Sequence, residues 1–336
     1  LEGRGTGRDR DAALRYLKDS ASKGNGEAML LCGKLFLEKK DAASGAKYMR
    51  LAAVEGHPEA MKIFAGMALS GEGMKVDTAQ GVEFLRRLAE KGDVSSLEKL
   101  AGLYDYGAPG LKADPKLAEE FYGKAADKGC VPALSRLARI CFDRDDFAGA
   151  AVYARKAAAK NDPDAMGLLG KMYYEGKGVQ KDMDEARRLL KVSADRGDLY
   201  AMEKMGRLSY ASGDYVEAEK YLKTAVKNDD PGLLYMLGRI YYLGVGVKQD
   251  YSRAFELLAR SADRGNIDAM VLIGKMYHRG EGFSQDYARA LQRYRRAADK
   301  GSSEAMYNVG SLYYNGDGAV WADKSHWDEF LLDLAK

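Results

Sequence analysis

Apolar and small residues recur along this chain with a helical period, and the whole pattern repeats at a longer interval. The segments DAMGLLGKMYYEGKGVQKDMDEARRLLKVSADRGD from Asp164, GLLYMLGRIYYLGVGVKQDYSRAFELLARSADRGN from Gly232 and DAMVLIGKMYHRGEGFSQDYARALQRYRRAADKGS from Asp268 align without gaps. Equivalent anchors stand at Ala28, Ala60, Ser96, Ala133, Ala165, Ala201, Leu233, Ala269 and Ala305, separated by 32, 36, 37, 32, 36, 32, 36 and 36 residues. Two lengths point to one structural unit with an optional four-residue loop insertion. The start of the chain, LEGRGTGRDRDAALRYLKDSASKG, matches YEGKGVQKDMDEARRLLKVSADRG from Tyr174, which puts Leu1 inside a truncated repeat. Leu1 is also not an initiator methionine, so a piece of a longer chain is expected, with any targeting segment outside it.

Each unit reads as two helices. Helix A begins near the anchor and carries Ala165, Leu168, Leu169, Met172 and Tyr173 at helical spacing. Helix B begins after Asp182, carries Ala186, Leu189, Leu190, Val192 and Ala194, and ends at Gly197, the expected left-handed stop. Asp182, Asp250 and Asp286 stand where a carboxylate caps exposed amides and opposes the helix dipole. Five residues after each anchor comes a small residue: Gly33, Ala65, Ala101, Ala138, Gly170, Gly206, Gly238, Gly274 and Gly310. Glycine inside a helix costs about 1 kcal/mol relative to alanine, so its recurrence predicts helix B pressed against the backbone of helix A. The expected fold is all-α. The domain expectation is one array over 1–336, with a partial repeat at 1–25, eight repeats over 26–302 and a divergent capping repeat at 303–336.

These residues resemble the Sel1-like repeat of the tetratricopeptide superfamily: a small residue, LGxxY, Gly-x-Gly-Val, an Asp, then Ala and a terminal Ala-Ala-x-x-Gly. LLGKMYYEGKGVQKDMDEA (Leu168 to Ala186) and MLGRIYYLGVGVKQDYSRA (Met236 to Ala254) carry the resemblance most fully. Shorter units, such as GDYVEAEKYLKTAV from Gly213, look more like plain tetratricopeptide repeats, and the units around Ser96 and Ala133 depart most. The resemblance implies a right-handed α-solenoid superhelix of tandem helix-turn-helix repeats, with A-helices on the concave side. It also implies a scaffold or adaptor for other proteins. An envelope- or polysaccharide-associated binding module is the alternative it leaves open.

Composition adds little that conflicts. Charged residues make up 31% and hydrophobic residues 46%, and only six prolines interrupt the helix formers. The 53 basic and 50 acidic side chains leave +3, so no global field draws the chain to nucleic acid or an anionic membrane. No stretch reads as long enough to span a bilayer. Three cysteines, Cys32, Cys130 and Cys141, form neither a disulfide ladder nor a metal knuckle.

Catalytic signatures are missing from the sequence. The Gly-x-Gly pairs Gly176/Gly178, Gly244/Gly246, Gly280/Gly282 and Gly316/Gly318 follow no strand and lack the lysine and serine of a phosphate loop, so they read as inter-helix turns. His57, His278 and His326 have no spaced partners suggesting zinc, and no nucleophile elbow occurs. A non-enzyme without cofactor or metal is expected. Compartment and oligomeric state are not encoded in any recognisable motif.

The candidate binding residues lie on helix A. One position after the small residue stand Lys34, Arg139, Lys171, Arg207, Arg239 and Lys275. Three further on come Leu37, Phe142, Tyr174, Tyr210, Tyr242 and His278, with Tyr314 continuing the aromatic series. Residues i and i+3 share a helical face, so each base is expected beside its own aromatic. The densest stretch, Lys171, Tyr174, Arg207, Tyr210, Arg239, Tyr242, Lys275, His278 and Tyr314, would suit a protein or peptide partner, acidic or phosphorylated. The plainer alternative puts Tyr173, Tyr241, Tyr277 and Tyr313 in the core and pairs the bases with acids of neighbouring repeats. Trp321 and Trp327, with Phe330, Leu331 and Leu334, are expected to form a final amphipathic helix that caps the stack or docks a partner.

Overall fold

The computed structural model describes residues 9–316, which form eighteen α-helices and no β-strand. The A-helices are α2 (Gly26–Glu38), α4 (Pro58–Ser70), α6 (Val94–Tyr106), α8 (Val131–Asp143), α10 (Pro163–Glu175), α12 (Leu199–Ala211), α14 (Pro231–Leu243), α16 (Ile267–Arg279) and α18 (Ser303–Asn315). The B-helices are α1 (Arg10–Ser22), α3 (Ala42–Val54), α5 (Thr78–Glu90), α7 (Pro115–Asp127), α9 (Phe147–Ala158), α11 (Met183–Asp195), α13 (Tyr215–Ala225), α15 (Tyr251–Asp263) and α17 (Tyr287–Ala298). The tryptophans, the expected closing helix and Gly318 lie outside the described residues.

The helix starts follow from local chemistry. The Asp182 carboxylate accepts from the backbone N–H of Asp184 and Glu185 at 3.0 Å, and Asp250 and Asp286 do the same for Arg253 and Arg289 at 2.9 and 2.8 Å. Asn25, Asp93, Asp230 and Asn266 cap A-helices in the same way. Helix B of the fifth repeat stops where expected, with Gly197 at φ 98°.

The recurrent small residue is where the two helices of a pair meet. A Cβ placed on Gly33 would lie 2.9 Å from Met49 Cε; on Gly206, 2.6 Å from Leu222 Cδ2; on Gly238, 2.9 Å from Leu258 Cγ; on Gly274, 2.5 Å from Tyr294 Cε1. Each contact comes from the following B-helix. Ala65, Ala101 and Ala138, at the same position, are completely buried. Close approach of this kind offsets the propensity cost of helical glycine. Gly310 meets nothing within 4 Å among the described residues.

The inserted loop has a second packing role. Its glycines take left-handed conformations, as at Gly244 (φ 66°) and Gly246 (φ 76°), so the chain turns tightly out of helix A. The second glycine then rests on the preceding repeat's B-helix. A Cβ on Gly73 would sit 2.2 Å from the Ala42 carbonyl oxygen, on Gly246 3.0 Å from Val216 Cγ2, and on Gly282 2.6 Å from Tyr251 Cβ.

The chain falls into two compact units, Leu1–Leu168 and Leu169–Lys336, which divide within α10. In each, a helix packs on its sequence neighbours, as when α14 packs on both α15 and α13. The first unit buries Met49, Phe64, Leu85, Leu88 and Leu100 almost completely. The second buries Met205, Tyr221, Leu222 and Tyr294 to the same degree.

Candidate functional site

The A-helix face of the second unit holds all nine residues singled out from the sequence. Successive A-helices α12 and α14 touch directly, so a side chain on one reaches the next. Arg207 on α12 bonds Glu203 one turn back at 3.1 Å and crosses to Asp230, the α14 cap, at 3.2 Å. Lys275 on α16 reaches Glu304 in the first turn of α18 at 2.5 Å. In the first unit, Lys34 reaches Glu59 of α4 at 2.7 Å in the same way. At these three positions the base after the small residue meets an acid at the start of the next A-helix.

Arg239 departs from that rule. Its guanidinium turns back to the preceding repeat, donating to the Tyr210 hydroxyl at 2.6 Å and lying 5.9 Å from that ring's centroid. Among the described residues it has no carboxylate within ion-pair distance. The Asp230-equivalent position in the next repeat is Asn266, a neutral cap. The expected pairing of each base with its own aromatic gives way here to a contact across repeats. The physical cause is helix stacking: the base projects from a side of helix A already occupied by the neighbouring A-helix.

The other candidates, Tyr314 excepted, are partly buried among their neighbours. The Lys171 ammonium lies 5.1 Å from the Tyr200 ring centroid, and Lys204 lies 5.5 Å from Tyr174 and 4.9 Å from Tyr200. Tyr200 donates to Glu175 at 2.9 Å. Burial, strengthened by this carboxylate, pushes the Tyr200 phenol far above its usual range, while Glu175 is held below its own. Tyr242 donates to Glu281 at 2.8 Å and packs edge-on to Tyr251. Burial first, then Glu281, raises its phenol to about 12. His278 packs against Tyr287 and Tyr294 with centroids 5.4 and 6.4 Å away. Tyr314 is 88% exposed, and Tyr307 on the same helix is 75% exposed. Tyr241, Tyr277 and Tyr313 are buried and Tyr173 half-buried.

Sequence reasoning missed Tyr200, Lys204 and Tyr235 on this face. A signal was present, since Lys204 precedes Arg207 by three residues and Tyr235 precedes Arg239 by four.

Outside this face, an open cleft of about 550 Å³ runs along α3, lined by Lys47, Arg50, Leu51, Val54, Phe64 and Met74. No group of three His, Cys, Asp or Glu side chains suited to a metal ion occurs among the described residues. Cys32 and Cys141 are buried, which pushes both thiols up, and Cys130 is half-buried at the start of α8. No helix of the described residues is long and apolar enough to cross a membrane.

The Sel1 repeat family model matches residues 1–25, 26–57, 65–93, 94–130, 163–198, 233–266, 267–302 and 303–325, well over half of the chain. The chain belongs to the Sel1 repeat family. Matched segments include the Ser96 unit, despite its unusual loop, whereas 131–162 and 199–232 are unmatched. These hold α8–α9 and α12–α13, two of the units without the inserted loop.

Solved structures agree on the fold. A protective antigen present in uropathogenic Escherichia coli strains, displaying an SLR fold, superposes with a TM-score of 0.64 at 27% identity, covering 94% of this chain and 70% of that one. A Sel1 repeat protein from Oxalobacter formigenes gives 0.56 at 26% identity, covering 89% and 90%. An uncharacterised protein of Neisseria meningitidis serogroup B is 28% identical over 262 residues, 77% of this chain and 55% of that protein. The chain thus spans about half the length of that curated relative. Sel1 repeat proteins are generally protein-interaction scaffolds, and their fold is typically non-catalytic.

Proposed function

We propose that this chain is a non-catalytic scaffold that holds a protein or peptide partner on the A-helix face of its repeats, with an acidic or phosphorylated segment as the preferred guest. Its working part is the run of eight repeats over 26–302, flanked by a partial unit at 1–25 and a divergent closing unit at 303–336. The observation that carries this reading is the row of bases and tyrosines on α10, α12, α14 and α16. Their rings are fixed by hydrogen bonds and cation contacts to neighbouring repeats. Such a surface is already ordered before a guest arrives, which lowers the entropic cost of binding. Aromatic rings and arginine are also the residue types that carry interface energy.

The test is a paired charge reversal, Arg207→Glu with Arg239→Glu. Protein partners retained from native extract by the parent chain should be lost, and retention by the parent should weaken as salt is raised. Because Arg207 also joins α12 to α14, the variant's helicity and melting are measured alongside. Undiminished capture by a folded double variant would remove the A-helix face from consideration.

A further inference from the structure

The basic row is not uniform, and its irregularity narrows the guest. Arg207, Lys275 and Lys34 each meet an acid of the next repeat at 2.5–3.2 Å. Their charge is spent inside the protein. Arg239 alone among these four is satisfied by a neutral hydroxyl, that of Tyr210, which uses one N–H of the guanidinium fork. The remaining N–H groups meet no acceptor within hydrogen-bond distance among the described residues. Arg239 is nevertheless half-buried, and a half-buried cation without a counter-charge gains from acquiring one.

Tyr235 lies one turn before Arg239 on α14, at the i,i+4 spacing that places two side chains on one face. Its ring is half-buried, and its hydroxyl makes no hydrogen bond among the described residues. Burial pushes the Tyr235 phenol upward, so it remains a donor at neutral pH. Two unspent donors of different kinds therefore stand side by side: a planar fork held at one corner by Tyr210, and a phenol. Asp268, the acid in the position from which Glu304 serves Lys275, is exposed and makes no ion pair with Arg239.

Resting on the scaffold reading above, we infer that Arg239 and Tyr235 form the anchor point for a single carboxylate side chain, Asp or Glu, of the bound peptide. One guanidinium with one phenol matches the charge and lone pairs of a carboxylate. A phosphate dianion calls for a second cation, and the neighbouring bases are committed to their own acids. The carboxylate accepts from the free guanidinium N–H groups and from the Tyr235 hydroxyl.

An array of short random peptides, probed with the full chain, tests this. The bound set should be enriched in Asp or Glu at one position, and changing that residue to Gln should weaken binding about tenfold or more. Arg239→Gln should abolish the acidic preference, while Lys248→Gln, an exposed loop charge, should leave it intact. If Arg239→Gln loses helicity, Tyr235→Phe serves instead and should weaken the same peptides several-fold. Peptides bound without acidic preference, or with a preference indifferent to a folded Arg239→Gln, would overturn the anchor and leave the scaffold reading standing. Stronger retention of phosphoserine than of Glu at that position would also overturn it, in favour of a phosphate guest. No peptide retained at all would sink the scaffold reading and the anchor together.

Discussion

The two compact units solve the same stacking problem with different side chains. Of the 22 tyrosines, six fall in Leu1–Leu168 and sixteen in Leu169–Lys336. The first unit fills its centre chiefly with apolar groups, such as Phe64 edge-on to Phe84 at 5.4 Å and Met49 against Gly33, and buries only Tyr104 and Tyr122 among its described tyrosines. The second buries or half-buries tyrosine rings and lets their hydroxyls reach acids on adjacent helices or loops. Tyr221 donates to Asp195 at 2.8 Å, Tyr241 to Glu219 at 2.8 Å and Tyr242 to Glu281 at 2.8 Å. A phenylalanine core depends on shape alone, whereas a tyrosine core also depends on the ionisation of its acceptors.

The comparison can be pressed hardest by truncation. Phe64→Ala in the first unit and Tyr294→Ala in the second remove rings that are almost fully enclosed, and each should cost about 3–5 kcal/mol in denaturant unfolding. Equal costs are expected because both rings fill comparable space. A much smaller loss at Tyr294 would mean that the second unit relaxes around the hole. Next in size, Gly238→Leu forces a side chain against Leu258 and the Ala254 carbonyl, and should cost about 1–3 kcal/mol. A melting curve matching the parent would contradict the close helix pairing.

The smallest effect comes from the carboxyls that serve the second unit's tyrosines and bases, a larger set than Asp11, Asp41 and Asp93, which are lowered in the first. At Glu217 burial pushes the carboxyl up, but hydrogen bonds from Lys191 and Ser209 outweigh it and hold the group below its ordinary value of 4.5. Glu219, Glu175 and Asp195 are likewise lowered, with Lys223, Tyr200 and Lys220 among their partners. A carboxyl lowered on folding stabilises the folded chain fully above its unfolded pKa, and that stability is lost as pH falls through the folded value. Protection of backbone amides in the second unit should thus hold from pH 7 to about 5 and then decline through the carboxylate range. Glu217→Gln should lower protection at pH 7 and flatten that decline; a slope identical to the parent would dissociate Glu217 from it.

Much of the fold was legible because its signals are local. Repeat length, the capping Asp182, Asp250 and Asp286, and the small residues facing Met49, Leu222, Leu258 and Tyr294 all act within one helix pair. The candidate face was legible only as a set of positions. Which acid a base meets depends on how one A-helix is displaced against the next, and that offset is not written in either helix. So the same sequence position pairs with an acid at Arg207 and Lys275 but with a tyrosine at Arg239. Tyr200, Lys204 and Tyr235 were passed over although Lys204 and Tyr235 stand about one turn before Arg207 and Arg239, because only the stacking of neighbouring A-helices brings them onto one face with those bases.

The inserted loop carries an implication for how such chains are lengthened or trimmed. Through Gly73, Gly246 and Gly282 a long repeat clasps the B-helix before it, at Ala42, Val216 and Tyr251, so closely that a Cβ would collide at Gly73 and Gly282 and crowd the Val216 methyl at Gly246. The dependence runs one way along the sequence: the later repeat fastens the earlier. Excising a long repeat strips its predecessor of a clasp as well as of a stacking partner, while appending one brings its own fastening. A protein assembled from such parts is most easily edited at its trailing end.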